Sequence, residues 1–328
     1  MTALVTGATG FIGRRLVAAL AAAGQPVRAL VRPGAPFDGP AAVVTGDITR
    51  PETLAAAIDG VEVVYHLASL LKVPWKPAFH TVNVDGTAHV AAACAAAPRP
   101  PVLVCVSSLA AAGPAPPGRP RVEADPPAPV SRYGRVKRAA EQAAAAHAVP
   151  LSIVRPPMVF GPGDRAARPL FRGAARGWHL TPTRRPTRVG LVHVDDLAAA
   201  LLTIAARGER VPPGDDGTTG RGVYHVAGDD APTYADLGRR IGAAAGRDVR
   251  VVRLPAALTA AAAALGELTG RLRDRPTVLN RDKHREATAG DWWCDAAKAR
   301  ALGWTPAPLD ARLAETLAGY RAAGWRDA

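Results

Sequence analysis

Apolar residues in this chain come in short unbroken runs, separated by stretches in which they recur every three or four positions. Ala3-Leu4-Val5 is the first run, and between Arg14 and Ala23 the residues Leu16, Val17 and Leu20 fall at helical spacing. Further runs at Pro26–Val31, Ala42–Thr45, Val61–Ala68, Pro101–Val106 and Leu151–Arg155 read as strands. Their lack of polar alternation is that of strands buried on both faces. Helical stretches separate them: one from near Pro51, one from Asn83 to Ala97, and one carrying Tyr133 and Lys137. Alternation of this kind predicts an α/β fold with a doubly wound parallel sheet.

Past residue 160 the pattern loosens. Gly161 to Arg188 reads as a lid, in which Arg165, Arg168, Arg172 and Arg176 share one face if the segment is helical, with Pro169 opposing that helix. That face is either simply solvated or a rim that attracts an anionic substrate. Val192-His193-Val194-Asp195-Asp196 opens a helix through Ala206, with the two carboxylates as cap and first-turn charge. A strand at Val223–Ala227, a helix at Tyr234–Ala245, a strand at Val249–Leu254 and a last helix at Leu309–Ala323 follow.

The first run leads into Val5-Thr6-Gly7-Ala8-Thr9-Gly10-Phe11-Ile12-Gly13, so strand, glycine turn and helix follow one another. Such a turn lets the backbone approach a pyrophosphate, and the helix N-terminus offers free N–H groups to it. The spacing is GxxGxxG and not GxGxxG, and the strand-turn-helix context carries the reading. The expectation is a Rossmann sheet over 1–160 with a returning stretch around 190–227, and a smaller, mixed substrate-binding part from 161–189 and 228–328. Gly7, Thr9, Gly10, Phe11 and Ile12 would hold the cofactor. The second strand ends without Asp or Glu, and Arg32 stands there with Arg28 inside the strand. An acidic residue would select the ribose hydroxyl of NAD; an Arg accommodates the extra phosphate of NADP. NADP is therefore expected, with NAD possible. Asp47 either accepts from the adenine amino group or caps the helix near Pro51. His66, at a strand end, either lines the cofactor or is structural.

The chain has 328 residues and a formal charge of +13. That charge fits an anionic partner or the Arg- and Ala-rich usage of a GC-rich genome, and no basic stretch interleaved with aromatics suggests a nucleic-acid partner. Cys94, Cys105 and Cys294 form no CxxC pair, which argues against disulfides and structural metal and for a reducing cytoplasm. A first strand beginning at residue 3 leads to the expectation of no signal peptide, and the Ala256–Leu265 run is too short to span a bilayer. The partner expected is a small-molecule substrate, with a homodimer as a further possibility.

Tyr133 and Lys137 are four residues apart on one helix face, and Ser108 ends the preceding strand. A nearby ammonium favours the phenolate and should lower the tyrosine pKa. Ser108 would then hold a substrate oxygen against the Tyr hydroxyl, which passes the proton while hydride moves at the cofactor.

Together TGATGFIG (6–13), GDI (46–48), YHLA (65–68), NVDGT (83–87), VSS (106–108), YGRVK (133–137), RPPMVFGPGD (155–164) and HVDD (193–196) resemble the extended short-chain dehydrogenase/reductase, or NAD-dependent epimerase/dehydratase, family. The resemblance implies Ser108, Tyr133 and Lys137 as catalytic, Lys137 also holding the nicotinamide ribose. It implies Asp47 and Ile48 near the adenine, Leu67, Ala68 and Pro156 lining the cofactor, and Asn83 supporting the active-site helix. Dehydratases of the family follow the active-site Ser/Thr with Asp-Glu, where this chain has Leu109-Ala110. Nucleotide-sugar enzymes carry an Asn where Met158 stands, and an Arg-Asp-Phe-like run where Val189-Gly190-Leu191 stands. These departures favour the branch resembling dihydroflavonol reductases and 3β-hydroxysteroid dehydrogenases, with apolar carbonyl or hydroxy substrates. The Ala-rich 255–268 segment would suit an apolar pocket wall or plain packing. The expected activity is an NADP-dependent oxidoreductase; a nucleotide-sugar epimerase and a non-catalytic dinucleotide sensor are the alternatives.

Overall fold

The computed structural model describes residues 1–71, 78–273 and 280–325. In chain order the first half runs β1 (Ala3–Thr6), α1 (Phe11–Ala22), β2 (Val27–Val31), β3 (Ala42–Thr45), α2 (Leu54–Ile58), β4 (Val63–His66), α3 (Ala78–His80), α4 (Gly86–Ala95), β5 (Val102–Val106), α5 (Leu109–Ala112), α6 (Arg132–Ala145) and β6 (Leu151–Arg155). A 3-10 turn (Pro51–Thr53) precedes α2, and a π turn (Thr81–Asp85) joins α3 to α4. The second half runs β7 (Met158–Phe160), α7 (Arg168–Ala175), β8 (Trp178–Thr181), β9 (Leu191–His193), α8 (Val194–Arg207), β10 (Val223–His225), α9 (Tyr234–Ala244), β11 (Arg250–Arg253), α10 (Ala256–Leu272), α11 (Arg281–Thr288), α12 (Ala297–Arg300) and α13 (Leu309–Ala322).

Seven strands form one parallel sheet in the order β10-β6-β5-β4-β1-β2-β3. Ala3 lies opposite both Val27 and Val63, so the chain reverses its progress across the sheet at β1 and β4. In such sheets the crevice at the carboxyl ends of those two strands receives the ligand. The apolar runs are buried on both faces, as their composition requires. On one face α1 and α8 pack through Leu16, Leu20, Leu197 and Leu201; on the other, Leu54, Ile58 and Val90 cover Leu103 and Ile153. β6 and α6 are tied by a buried ion pair, in which Arg155 Nε and Nη2 donate to the two Glu141 oxygens at 2.9 and 2.7 Å. Arg138 adds a third contact to Glu141 at 3.1 Å.

The second half adds two small parallel pairs, β7 with β9 and β8 with β11. Phe160, Phe171, Leu237, Leu313 and Tyr320 form a separate core under α7, α9 and α13. The segment read as a lid is therefore built structure. Pro169 lies in the first turn of α7, where a missing N–H is harmless, so it starts the helix and does not break it. Arg165 precedes that helix, and the Arg168 guanidinium lies 6.0 Å from the centre of the Tyr320 ring, so the four arginines do not form one free face.

Smaller corrections have equally local causes. α1 begins at Phe11, three residues before the reading from Leu16 and Leu20 placed it. Asp47 caps no helix: its carboxylate accepts from Thr49 N and Oγ1 at 2.9 and 2.8 Å in a local turn. The cap of α8 is His193, not Asp195, which lies in the first turn with Asp196 and is clasped by Arg15. The Ala-rich 255–268 segment turns its leucines outward, with Leu265 62% exposed, so it is no apolar pocket wall.

Candidate active site

The glycine turn is shaped by close approach. Gly7 has φ +70, and a Cβ there would meet Ala68 N at 2.7 Å at the end of β4. A Cβ on Gly13 would collide with the Gly7 carbonyl, so only glycine lets α1 start this close to the turn. α1 has no side-chain cap and no acidic residue in its first turn. Its leading N–H groups are thus open to an anion, and Thr9 and Gly10 before them are exposed. These features fit a dinucleotide pyrophosphate. Leu67 and Ala68 lie across the crevice, where both backbone N–H groups donate to Thr6 Oγ1 at 3.2 Å.

At the end of β2, Arg32 is exposed and has no side-chain partner among the described residues. Arg28 is committed elsewhere, donating to the carbonyls of Ala57 (3.3 Å) and Asp59 (2.6 Å). Ile48 is buried, while Asp47 is half-buried beside it.

His66 resolves as structural. It is 3% exposed between Thr6 Oγ1 (2.8 Å) and Thr87 Oγ1 (2.9 Å). Burial, with Lys137 nearby, pushes its pKa down to about 3. Asn83 is buried too: its Oδ1 accepts from Ser69 Oγ (2.6 Å) and Leu70 N (2.9 Å), and its Nδ2 donates to the Phe79 carbonyl at 2.8 Å. It ties the loop after β4 to the π turn, and that turn packs on α6.

Ser108, Tyr133 and Lys137 come together at the carboxyl end of β5. Ser108 caps α5, its Oγ accepting from Ala110 N at 3.1 Å. The Ser108 hydroxyl lies close enough to the Tyr133 phenol to favour its ionised form. Ser131 caps α6 and accepts from Gly134 N at 2.9 Å, which fixes the turn carrying Tyr133. Lys137 is 6% exposed, and its Nζ donates to the Val106 carbonyl at 2.9 Å. Among the described residues no hydrogen bond joins it to Tyr133. The expected lowering of the tyrosine pKa is therefore corrected. Burial pushes the Tyr133 phenol up to about 12, the nearby Ser108 hydroxyl opposes this, and Glu286 adds to it. Burial also lowers the Lys137 pKa, against the pull of Cys105 and Glu141. Pro156 closes the floor, buried, with its carbonyl accepting from Leu109 N at 2.8 Å. Met158 is half-buried against the Phe160–Phe171 core.

Three residues near the site were not singled out in the sequence. Asp282 of α11 accepts from Arg132 N (2.7 Å) and Tyr133 N (3.2 Å), so a carboxylate caps α6 alongside the Ser131 hydroxyl. Lys283 holds its ammonium 5.7 Å from the centre of the Tyr133 ring and donates to Glu286 Oε2 at 2.6 Å. The signal for α11 was Asn280 as a helix cap ahead of a charged run; its Oδ1 accepts from Lys283 N at 2.9 Å. A cleft of about 190 Å³ lies between β8, β11 and the start of α9, lined by Thr181, Arg185, Thr233, Tyr234 and Arg253.

A parallel Rossmann sheet, a glycine turn under an uncapped helix and a Ser–Tyr pair beside a buried Lys define a class, and comparison with known proteins agrees. The chain belongs to the NAD dependent epimerase/dehydratase family, whose model matches residues 3–220. It is an NAD(P)-dependent reductase or dehydrogenase of the extended short-chain type. It is 35% identical over 325 residues to a ceramide reductase of Caulobacter vibrioides, covering 98% of this chain and 95% of that protein. It is 29% identical to a 2-alkyl-3-oxoalkanoate reductase of Shewanella oneidensis, covering 83% and 73%. The solved structure of gox2253 superposes with a TM-score of 0.77 at 26% identity, covering 98% of each chain.

Proposed function

We propose that the chain is an NADP-dependent reductase of apolar carbonyl compounds, working reversibly on the matching secondary alcohols, in the branch resembling dihydroflavonol reductases and 3β-hydroxysteroid dehydrogenases. The observation that carries this is that Ser108 and Tyr133 lie near one another with buried Lys137 one helical turn further along α6, at the carboxyl end of β5. When bound, the nicotinamide supplies or takes the hydride. Tyr133 holds the proton that passes to the substrate oxygen, and the Ser108 hydroxyl orients that oxygen. Lys137 spends one N–H on Val106 and keeps two donors for the nicotinamide ribose. Arg32 supports NADP, since an exposed guanidinium at the end of β2 suits a phosphate and not a ribose hydroxyl.

The substrate class rests on Met158, Leu109 and Ala110, which put thioether and methyl groups where a sugar-nucleotide enzyme needs polar ones. Two relatives named as reductases, one for a ceramide and one for 2-alkyl-3-oxoalkanoates, act on substrates of this kind. The cleft with Arg185 and Arg253 favours a second reading, an epimerase that holds a nucleotide diphosphate there. Calorimetry of UDP and TDP against the NADP-loaded enzyme separates the two. We expect no binding tighter than millimolar at physiological salt; micromolar binding of either nucleotide would promote the epimerase.

A further inference from the structure

β8 and β11 form a two-stranded sheet that buries one side and leaves the other uncovered. His179 and Thr181 face in, while Trp178 and Leu180 are 45% and 44% exposed. In register with them on β11 stand Arg250, opposite Trp178, and exposed Val252, opposite Leu180. The sheet runs straight into α10. Leu254 N donates to the Thr181 carbonyl (3.0 Å) and Thr259 Oγ1 to the Pro182 carbonyl (3.1 Å), which set the first turn of α10 at the end of β8. Along α10, Leu258, Ala261, Leu265 and Leu268 fall at spacings of three, four and three, so they line one helix face. The leucines are 55%, 62% and 54% exposed, whereas Ala263 and Gly270 on the opposite side are buried.

The charge around these apolar residues is mostly positive. Residues 165–188, with Trp178 and Leu180 in their midst, contain seven arginines and no Asp or Glu. Arg247, Arg250 and Arg253 border the same sheet on the β11 side, and the acids from 243 to 270 are Asp248 and Glu267. Elsewhere acids pair with arginines, as in Arg15–Asp195, Arg155–Glu141 and Arg312–Asp196. Exposed leucines with a tryptophan, bordered by arginines, match an acyl and headgroup boundary carrying negative charge. A nucleic acid would call for stacking rings instead of leucines. No helix among the described residues is long and apolar enough to cross a membrane, so the contact would lie in the plane of the surface.

We propose that Trp178, Leu180, Val252 and the outward leucines of α10 form a docking surface for an anionic lipid bilayer. This goes beyond the reductase reading and does not depend on it, because vesicle binding is measured without turnover. The test is co-sedimentation of the full-length protein with phosphatidylcholine vesicles, with and without phosphatidylglycerol. Binding should require the anionic lipid and fall as salt is raised. L265E/L268E and R247E/R250E should each lower partitioning roughly tenfold or more. Unchanged circular dichroism and NADPH affinity would show that both variants fold. Absence of binding to anionic vesicles, or binding that both variants leave intact, would overturn the proposal. So would a light-scattering shift from dimer to monomer in L265E/L268E, which would make a second copy of this chain the occupant.

Discussion

At Tyr133 the cost of burying a phenolate outweighs the favourable influence of Ser108, so the phenol is pushed up to about 12. In the mechanism proposed above, the protonated form is the working one in the reducing direction. The rate should therefore hold level through neutral pH and fall only toward 12; the reverse reaction, which needs the phenolate, should rise with pH. Tyr133→Phe should lower kcat by about 10²–10⁴ while leaving the Kd for NADPH nearly unchanged. Steady-state kinetics with fluorescence titration would check this, and a Phe variant that keeps most of its turnover would remove Tyr133 from the mechanism. The Tyr133–Lys137 spacing was legible because it is local, four residues on one helix. What Lys137 touches was not: its partner is a strand carbonyl 31 residues away. His66 likewise offered two roles in the sequence, and only Thr6 and Thr87 on either side decide between them.

Helix α6, which carries Tyr133 and Lys137, is held at its start by two caps of different origin. Ser131 is local, two residues before Tyr133. Asp282 comes from a helix 150 residues further on and takes the N–H groups of Arg132 and Tyr133 itself. A carboxylate at this position also suits the positive end of the helix dipole. Asp282→Ala should cost about 1 kcal/mol of stability. It should also lower kcat more than it raises the KM for NADPH, because the phenol is displaced while the glycine turn is untouched. Asp282→Asn, which keeps one acceptor, should recover part of the loss. A variant that melts lower with unchanged kcat would leave Asp282 a structural cap alone. The same element scale explains the misread lid: Pro169 opposes a helix interior but suits a first turn, and only the position of α7 tells which applies.

Across the whole molecule, the sheet was legible because strands buried on both faces leave unbroken apolar runs, and glycine at Gly7 and Gly13 marks where chain segments touch. The pairs β7 with β9 and β8 with β11 were not, since each strand is short and meets its partner only in space. The charge of +13 was ambiguous as a sum; the fold sets some arginines in ion pairs with acids, while 165–188 carries seven arginines and no acid. The central claim is net hydride transfer to an apolar carbonyl. Its most direct test is the stoichiometry of NADPH oxidised to alcohol formed, over a panel of long-chain 3-oxo compounds and UDP- and TDP-sugars. We predict one alcohol per NADPH with an apolar ketone, slower turnover with NADH, and none with the sugars. Sugar interconversion without net consumption of NADPH would contradict the account.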